Sequence, residues 1–92
     1  MKYGFHHLDF SSRIGGVYAR FIFPNGYGCS VIRGQYTYGG AQGLYEMAVL
    51  GQDGKITYDT DLTEDVLGYL TEEDVADYMN KISRLGSTSS TP

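Results

Sequence analysis

The sequence predicts an α+β domain in which a small antiparallel sheet of three to four strands carries a C-terminal amphipathic helix packed on one face. Three observations lead there. Apolar and polar residues alternate through 16–33 and again through 43–59, which is the period of a half-buried strand. Turn chemistry separates those runs, first at Pro24-Asn25-Gly26 and then at Gly51-Gln52-Asp53-Gly54. Over residues 71–85 the apolar spacing changes to three and four, the stripe of an α-helix. A chain of 92 residues makes one modest domain. We assign residues 1–85 to it and read 86–92, which contains no apolar residue, as a disordered tail.

Each element has its own justification. Residues 1–15 are short and mixed in character, and fit either a turn of helix or an edge strand. In "GVYARFIF" (16–23), Val17, Ala19, Phe21 and Phe23 point one way, and Tyr18, Arg20 and Ile22 the other. "YGCSVIR" (27–33) places Tyr27, Cys29 and Val31 on one face, and the two segments pair as a hairpin across Pro24-Asn25-Gly26. "GLYEMAVL" (43–50) is a third strand, and "KITYD" (55–59) a short fourth beyond the Asp-Gly turn. "LTEDVLGYL" (62–70) reads as one or two helical turns that begin at Thr63 and end near Gly68. In "TEEDVADYMNKISRL" (71–85), Val75, Tyr78, Met79, Ile82 and Leu85 share a stripe. Thr71 takes the N-cap, Asp74 stands in for the capping-box Glu, and Gly86 is the stop signal. The expected core joins Val75, Met79, Ile82 and Leu85 to Phe21, Val31, Ala48 and Ile56.

Composition narrows the class of function. There is one cysteine, Cys29, so no intramolecular disulfide forms, and the N-terminus lacks the apolar run of a signal peptide. No stretch approaches the length of a membrane span. The expectation is a cytoplasmic protein that meets no membrane. The net charge of −4 is unevenly spread. Residues 1–52 carry +2, residues 53–77 carry −8, and residues 78–92 carry +2. The acidic segment sets Asp53, Asp59, Asp61, Glu64, Asp65, Glu72, Glu73, Asp74 and Asp77 against Lys55 alone. This argues against direct nucleic-acid binding, which needs a basic face.

Helix starts explain part of that charge, because carboxylates in a first turn meet the positive end of the helix dipole. Glu64 and Asp65 fit a start at Thr63, and Glu72, Glu73 and Asp74 a start at Thr71. Asp53 belongs to the 51–54 turn, and Asp59, Asp61 and Asp77 are left over. A calcium loop is not the explanation. Asp59, Asp61, Thr63 and Asp65 have its spacing, but Glu64 stands where the loop needs glycine and Leu70 where it needs a bidentate Glu. His6 and His7 have no ligand motif around them, so neither a metal nor a cofactor is expected. Cys29 sits within a strand pattern as a small hydrophobe, and Ser11 and Ser12 lack a nucleophile elbow. The chain is therefore not expected to be an enzyme.

"RGQYTYGGAQG" (33–43) is longer than a hairpin needs. Arg33, Tyr36 and Tyr38 with its glycines can pack on a sheet edge, contact a protein, or hold a nucleotide. The last gives the alternative function, a small-molecule or nucleotide-binding sponge. It is not a P-loop, since no Gly-Lys-Ser/Thr ending follows.

"FPNGYG", "YTYGG-x-x-GLYE-x-AVL", "ITYDT" and "DVLGYLTEEDV", spanning residues 16–85, resemble a group of small uncharacterised proteins of tailed bacteriophages and prophages. The resemblance implies a phage accessory protein in the host bacterial cytoplasm and carries over no catalytic residue. Small acidic proteins of that context often inhibit host defence, anti-CRISPR proteins among them. The leading expectation is a binder of a basic surface on a host defence or nucleic-acid-handling protein. Its contacts are Asp59, Asp61, Glu64, Asp65, Glu72 and Glu73, with Tyr69, Tyr36 and Tyr38 as anchors. A homodimer is compatible with the same composition.

Overall fold

The computed structural model describes residues 2–13, 15–57 and 66–85. The sheet has five strands rather than three to four: β1 (Ser11–Arg13), β2 (Gly16–Ile22), β3 (Gly28–Gly34), β4 (Tyr45–Leu50) and β5 (Leu67–Leu70). They lie side by side in chain order, every neighbour antiparallel. One α-helix, α1 (Glu72–Ile82), follows β5, and short 3-10 turns occupy Phe5–His7 and Gly40–Gln42. The α+β reading holds, with a larger sheet than expected. Residues 1–15 supply both alternatives at once, a 3-10 turn and then the edge strand β1.

Register separates the side chains into two faces. Ala19 faces Val31, which faces Met47, while Phe21 faces Cys29, which faces Val49. This inner face is covered by α1, whose Val75, Met79 and Ile82 are fully buried and which packs on β3, β4, β5 and the first 3-10 turn. Burying each such side chain contributes about 1.5–3 kcal/mol. Tyr3 and Leu8 close one end of this core. The Tyr3 ring stands edge-on to Phe23 at 4.8 Å and to Phe21 at 5.7 Å, a favoured aromatic arrangement.

Two residues expected to meet the helix lie on the other face of the sheet, Ala48 buried there and Ile56 not. Ala48 pairs with Ser30 and Leu50 with Gly28, one residue out of phase with Met47 and Val49, so Ala48 belongs to the outer face. Ile56 bridges Leu50 there and is half exposed. A period of two permits no other result once Met47 and Val49 face the helix. Of the expected "KITYD" strand, the described residues 55–57 show that single bridge and Thr57 N donating to Val49 O at 2.9 Å, and residues 58 and 59 lie outside the described residues. The expected helical turns at 62–70 are corrected too, for residues 67–70 form β5 against Tyr45 and Met47 of β4. Leu67 and Leu70 serve the inner face there, and the free edge of β4 supplies partners for the backbone. Residues 62–65 and the 86–92 tail lie outside the described residues.

Side-chain amides tie the layers together. Asn25, in the turn between β2 and β3, donates through Nδ2 to Ile82 O (2.9 Å) and Leu85 O (3.0 Å). It thereby adds a donor at the C-terminal end of α1, where Ile82 O also accepts from Leu85 N at 3.0 Å, and serves a carbonyl of the turn that follows. Asn80 Oδ1 accepts from Tyr3 N at 2.7 Å, and Asn80 Nδ2 donates to Tyr3 O at 2.8 Å. This two-way clamp fixes the N-terminal segment against α1.

Candidate functional site

The described part of the expected acidic surface begins at α1. Thr71 Oγ1 accepts from Asp74 N (3.1 Å), and Asp74 Oδ2 accepts from Thr71 N (3.0 Å). Asp74 is therefore a capping residue. Glu72 and Glu73 share the first turn and are exposed. Tyr69 lies just upstream in β5, 58% exposed. Asp59, Asp61, Glu64 and Asp65 lie outside the described residues.

Tyr69 is the only described non-glycine residue with positive φ, at 58°. The left-handed region costs an L-residue roughly 1 kcal/mol or more. The surroundings impose it. Gly39 is buried against β5, where a Cβ would come within 2.9 Å of Tyr69 Cα, and a Cβ on Gly68 would come within 2.6 Å of Tyr38 Cβ. Tyr69 N donates to Tyr38 O at 3.2 Å, and Tyr38 N donates to Glu46 Oε1 at 2.9 Å. The 35–43 loop and β5 thus interlock through two glycines, and Tyr38 (59%) and Tyr69 (58%) are both exposed. Tyr38 and Tyr69, linked through their backbones, and Glu72 and Glu73, which open the helix that follows Tyr69 in the chain, make up the candidate corner.

The loop does not take the shape expected of a nucleotide cradle. Arg33 Nη1 donates to Tyr45 Oη at 3.1 Å, and its guanidinium lies 5.0 Å from the Tyr45 ring centre. Arg33 is thus held on the inner side. The glycine amides are also engaged. Gly40 N donates to Thr37 O, Gly43 N to Gly40 O, and both Gln42 N and Leu44 N to Gly39 O. Tyr36 leans toward the β1–β2 edge and is 91% exposed, away from the Tyr38–Tyr69 pair.

The reactive residue types have structural surroundings. Cys29 is buried between Phe21 and Val49, and burial pushes its thiol up to about 12. At neutral pH it is a protonated hydrophobe rather than a thiolate. His7 Nδ1 accepts from Gly4 N at 3.0 Å, and the His6 and His7 rings lie 4.3 Å apart. Among the described residues, no three His, Cys, Asp or Glu side chains converge as metal ligands. No helix of the described residues is long and apolar enough to cross a membrane.

Charge is polarised along α1. Its first turn carries Glu72, Glu73 and Asp74. Beyond its middle, Lys2, Lys81 and Arg84 line a broad open groove of about 570 Å³ together with Asp77 and Asn80. The order suits the helix dipole, acids at the start and bases at the end. Sequence reasoning missed Asn25, Glu46 and the exposed outer face. The parity of Tyr18 and Ile22 was a readable signal for the last. Asn25 gave none, because a turn asparagine looks the same whether or not it reaches a helix end.

Comparison with protein-family models, curated proteins and solved structures finds no match to this chain.

Proposed function

We propose that the protein acts by binding a partner protein through the corner made by Tyr38, Tyr69, Glu72 and Glu73, and that it is not an enzyme. The observation that carries this reading is the conformation of Tyr69. Its backbone stands at φ 58° while its ring is 58% exposed. Strain that stability alone would remove is a mark of a functional position. Tyrosine is also a preferred interface anchor.

The partner's chemistry follows from the neighbouring charge. Glu72 and Glu73 follow Tyr69 by three and four residues, and Asp59, Asp61, Glu64 and Asp65 extend the acidity in sequence. A carboxylate surface with aromatic anchors suits a basic groove of the kind that receives phosphates. A host nucleic-acid-handling or defence protein in the bacterial cytoplasm, as for an anti-CRISPR inhibitor, fits both this charge and the resemblance to phage proteins. Attraction between opposite surfaces speeds association and makes it salt-dependent.

The test begins with capture from a bacterial lysate on the immobilised chain, followed by affinity measurement on the purified partner. Tyr69→Gly should remain folded and lose at least about tenfold in affinity, as expected for an anchor costing more than roughly 1 kcal/mol. The pair Glu72→Gln and Glu73→Gln should slow association and flatten its salt dependence. If both variants bind as the parent does, this corner is not the interface.

A further inference from the structure

We propose that a slot on the outer face, between the β1–β2 turn and the end of β3, binds a nucleoside monophosphate with its base inserted. The slot is a cavity of about 120 Å³ whose walls include Arg13, Gly15, Gly16, Ile32, Gly34 and Tyr36. That is well above the roughly 10–15 Å³ that a single water needs. Its floor has no side chains. Gly16 and Gly34 are opposite each other in the register. A Cβ on Gly16 would run into the Arg33 carbonyl, and one on Gly34 into the Gly15 carbonyl. The approach of the two backbones therefore requires glycine, and a flat bare surface results. Ile32, half-buried, makes an apolar side wall.

The rim supplies two groups suited to one ligand. Tyr36 is 91% exposed, so its ring gains little from packing on its own chain. Its backbone is nonetheless fixed. Thr37 Oγ1 accepts from Gly34 N at 2.9 Å and donates to Gly34 O at 3.0 Å, while Gln35 N donates to Gly15 O at 3.2 Å. These bonds tie the loop to the β1–β2 turn and hold Tyr36 at the mouth. Arg13 projects on the same face, its guanidinium 5.8 Å from the Tyr18 ring centre. A planar heteroaromatic ring lying on the glycine floor stacks on Tyr36, in the sequence-tolerant way bases stack on aromatic side chains. A phosphate leaving the mouth meets Arg13, which forms charge-assisted bonds to it. Arg33 also lines the slot, but its guanidinium is engaged by Tyr45 on the inner side, and Tyr38 and the 39–43 glycines are not among the lining residues. The site shares no residue with the Tyr38–Tyr69 corner and stands whether or not that corner binds a protein.

The experiment is an amide NMR titration of the full chain with AMP, GMP, CMP and UMP in turn, and with adenosine as the phosphate-free control. At least one nucleotide should shift the Gly16, Gly34 and Tyr36 amides at millimolar concentration. Tyr36→Ala, with the remaining spectrum unchanged, should weaken binding at least about fivefold. Arg13→Gln should weaken the nucleotide while leaving adenosine as it was. The proposal is overturned if none of the four nucleotides shifts these amides, or if Tyr36→Ala binds as tightly as the parent. It is equally overturned if the shifts gather at Lys2, Lys81 and Arg84, which marks a phosphate on the cationic groove instead. Partner affinity measured on Tyr36→Ala separates this site from the protein-binding corner, since only a shared site changes both.

Discussion

The two faces of the central strands differ in what they are built to do. On the inner face, Val31, Met47 and Val49 are almost fully buried beneath Val75, Met79 and Ile82. On the outer face of the same sheet, Tyr18, Ile22 and Ile56 stand 42–51% exposed. Strand alternation alone sends successive residues to opposite sides. The difference in composition is therefore a difference in employment. The inner side chains are apolar and pack into one cluster, while the outer ones mix Tyr18, Arg20, Ile22, Ile32 and glycines with the buried pair Ala48 and Leu50. The helix-facing side holds the main core, and the other side is left largely open.

The largest expected effect tests the inner face. Met79→Ala or Ile82→Ala should lower unfolding free energy by about 2–5 kcal/mol in a urea titration, because each removes a fully buried side chain. An unchanged midpoint for either would remove α1 from the core. Next comes Asn25→Ala, which removes the side-chain donor from the Ile82 and Leu85 carbonyls, leaving Ile82 O with Leu85 N. A loss of about 1–3 kcal/mol is expected, with faster amide exchange at the last turn of α1. Tyr69→Gly should move the other way or not at all. Glycine accepts φ 58° without strain, so a gain of up to about 1 kcal/mol is expected, alongside the loss of partner binding. A substantial destabilisation there would make Tyr69 a structural residue and erase the contrast between faces. Ile22→Ser on the outer face should change stability by less than about 0.5 kcal/mol.

The smallest effect at neutral pH belongs to Cys29. Its folded thiol titrates near 12 against an ordinary value of 9.0, so the folded chain holds the proton more tightly than the unfolded one. The sign follows: this residue costs nothing below about pH 8, and stability falls as pH rises from 9 toward 12. A thiol reagent at pH 8 should leave Cys29 unmodified until the chain unfolds, and Cys29→Ala should lack this component of the alkaline decline.

Much of the fold was legible from local chemistry. The β2–β3 hairpin, β4, the Thr71 cap and the α1 stripe each declare themselves in a few consecutive residues. What escaped was decided by distant partners. Residues 67–70 carry helical-looking neighbours, yet the free edge of β4 claims them as β5. Ala48 and Ile56 are apolar and look like core, but parity with Met47 and Val49 sends them outward. At the candidate site, Tyr38, Tyr69, Glu72 and Glu73 were named from composition, and their grouping was invisible because Gly39 and Gly68 create it across the fold. Arg33 was read as a loop contact, whereas Tyr45, twelve residues on, draws it inward.

The Asn80 clamp on Tyr3 bears on how the chain is made. The two residues are 77 positions apart, and a ribosome extends a chain by about 5–20 residues per second. Tyr3 therefore waits several seconds for its partner, while the β2–β3 and β3–β4 pairings need only near neighbours and can form at once. Until α1 arrives, Phe21, Phe23 and Met47 present a bare apolar surface. The sheet is thus most exposed to aggregation before α1 covers it, and the Tyr3–Asn80 clamp can close only after α1 has been made.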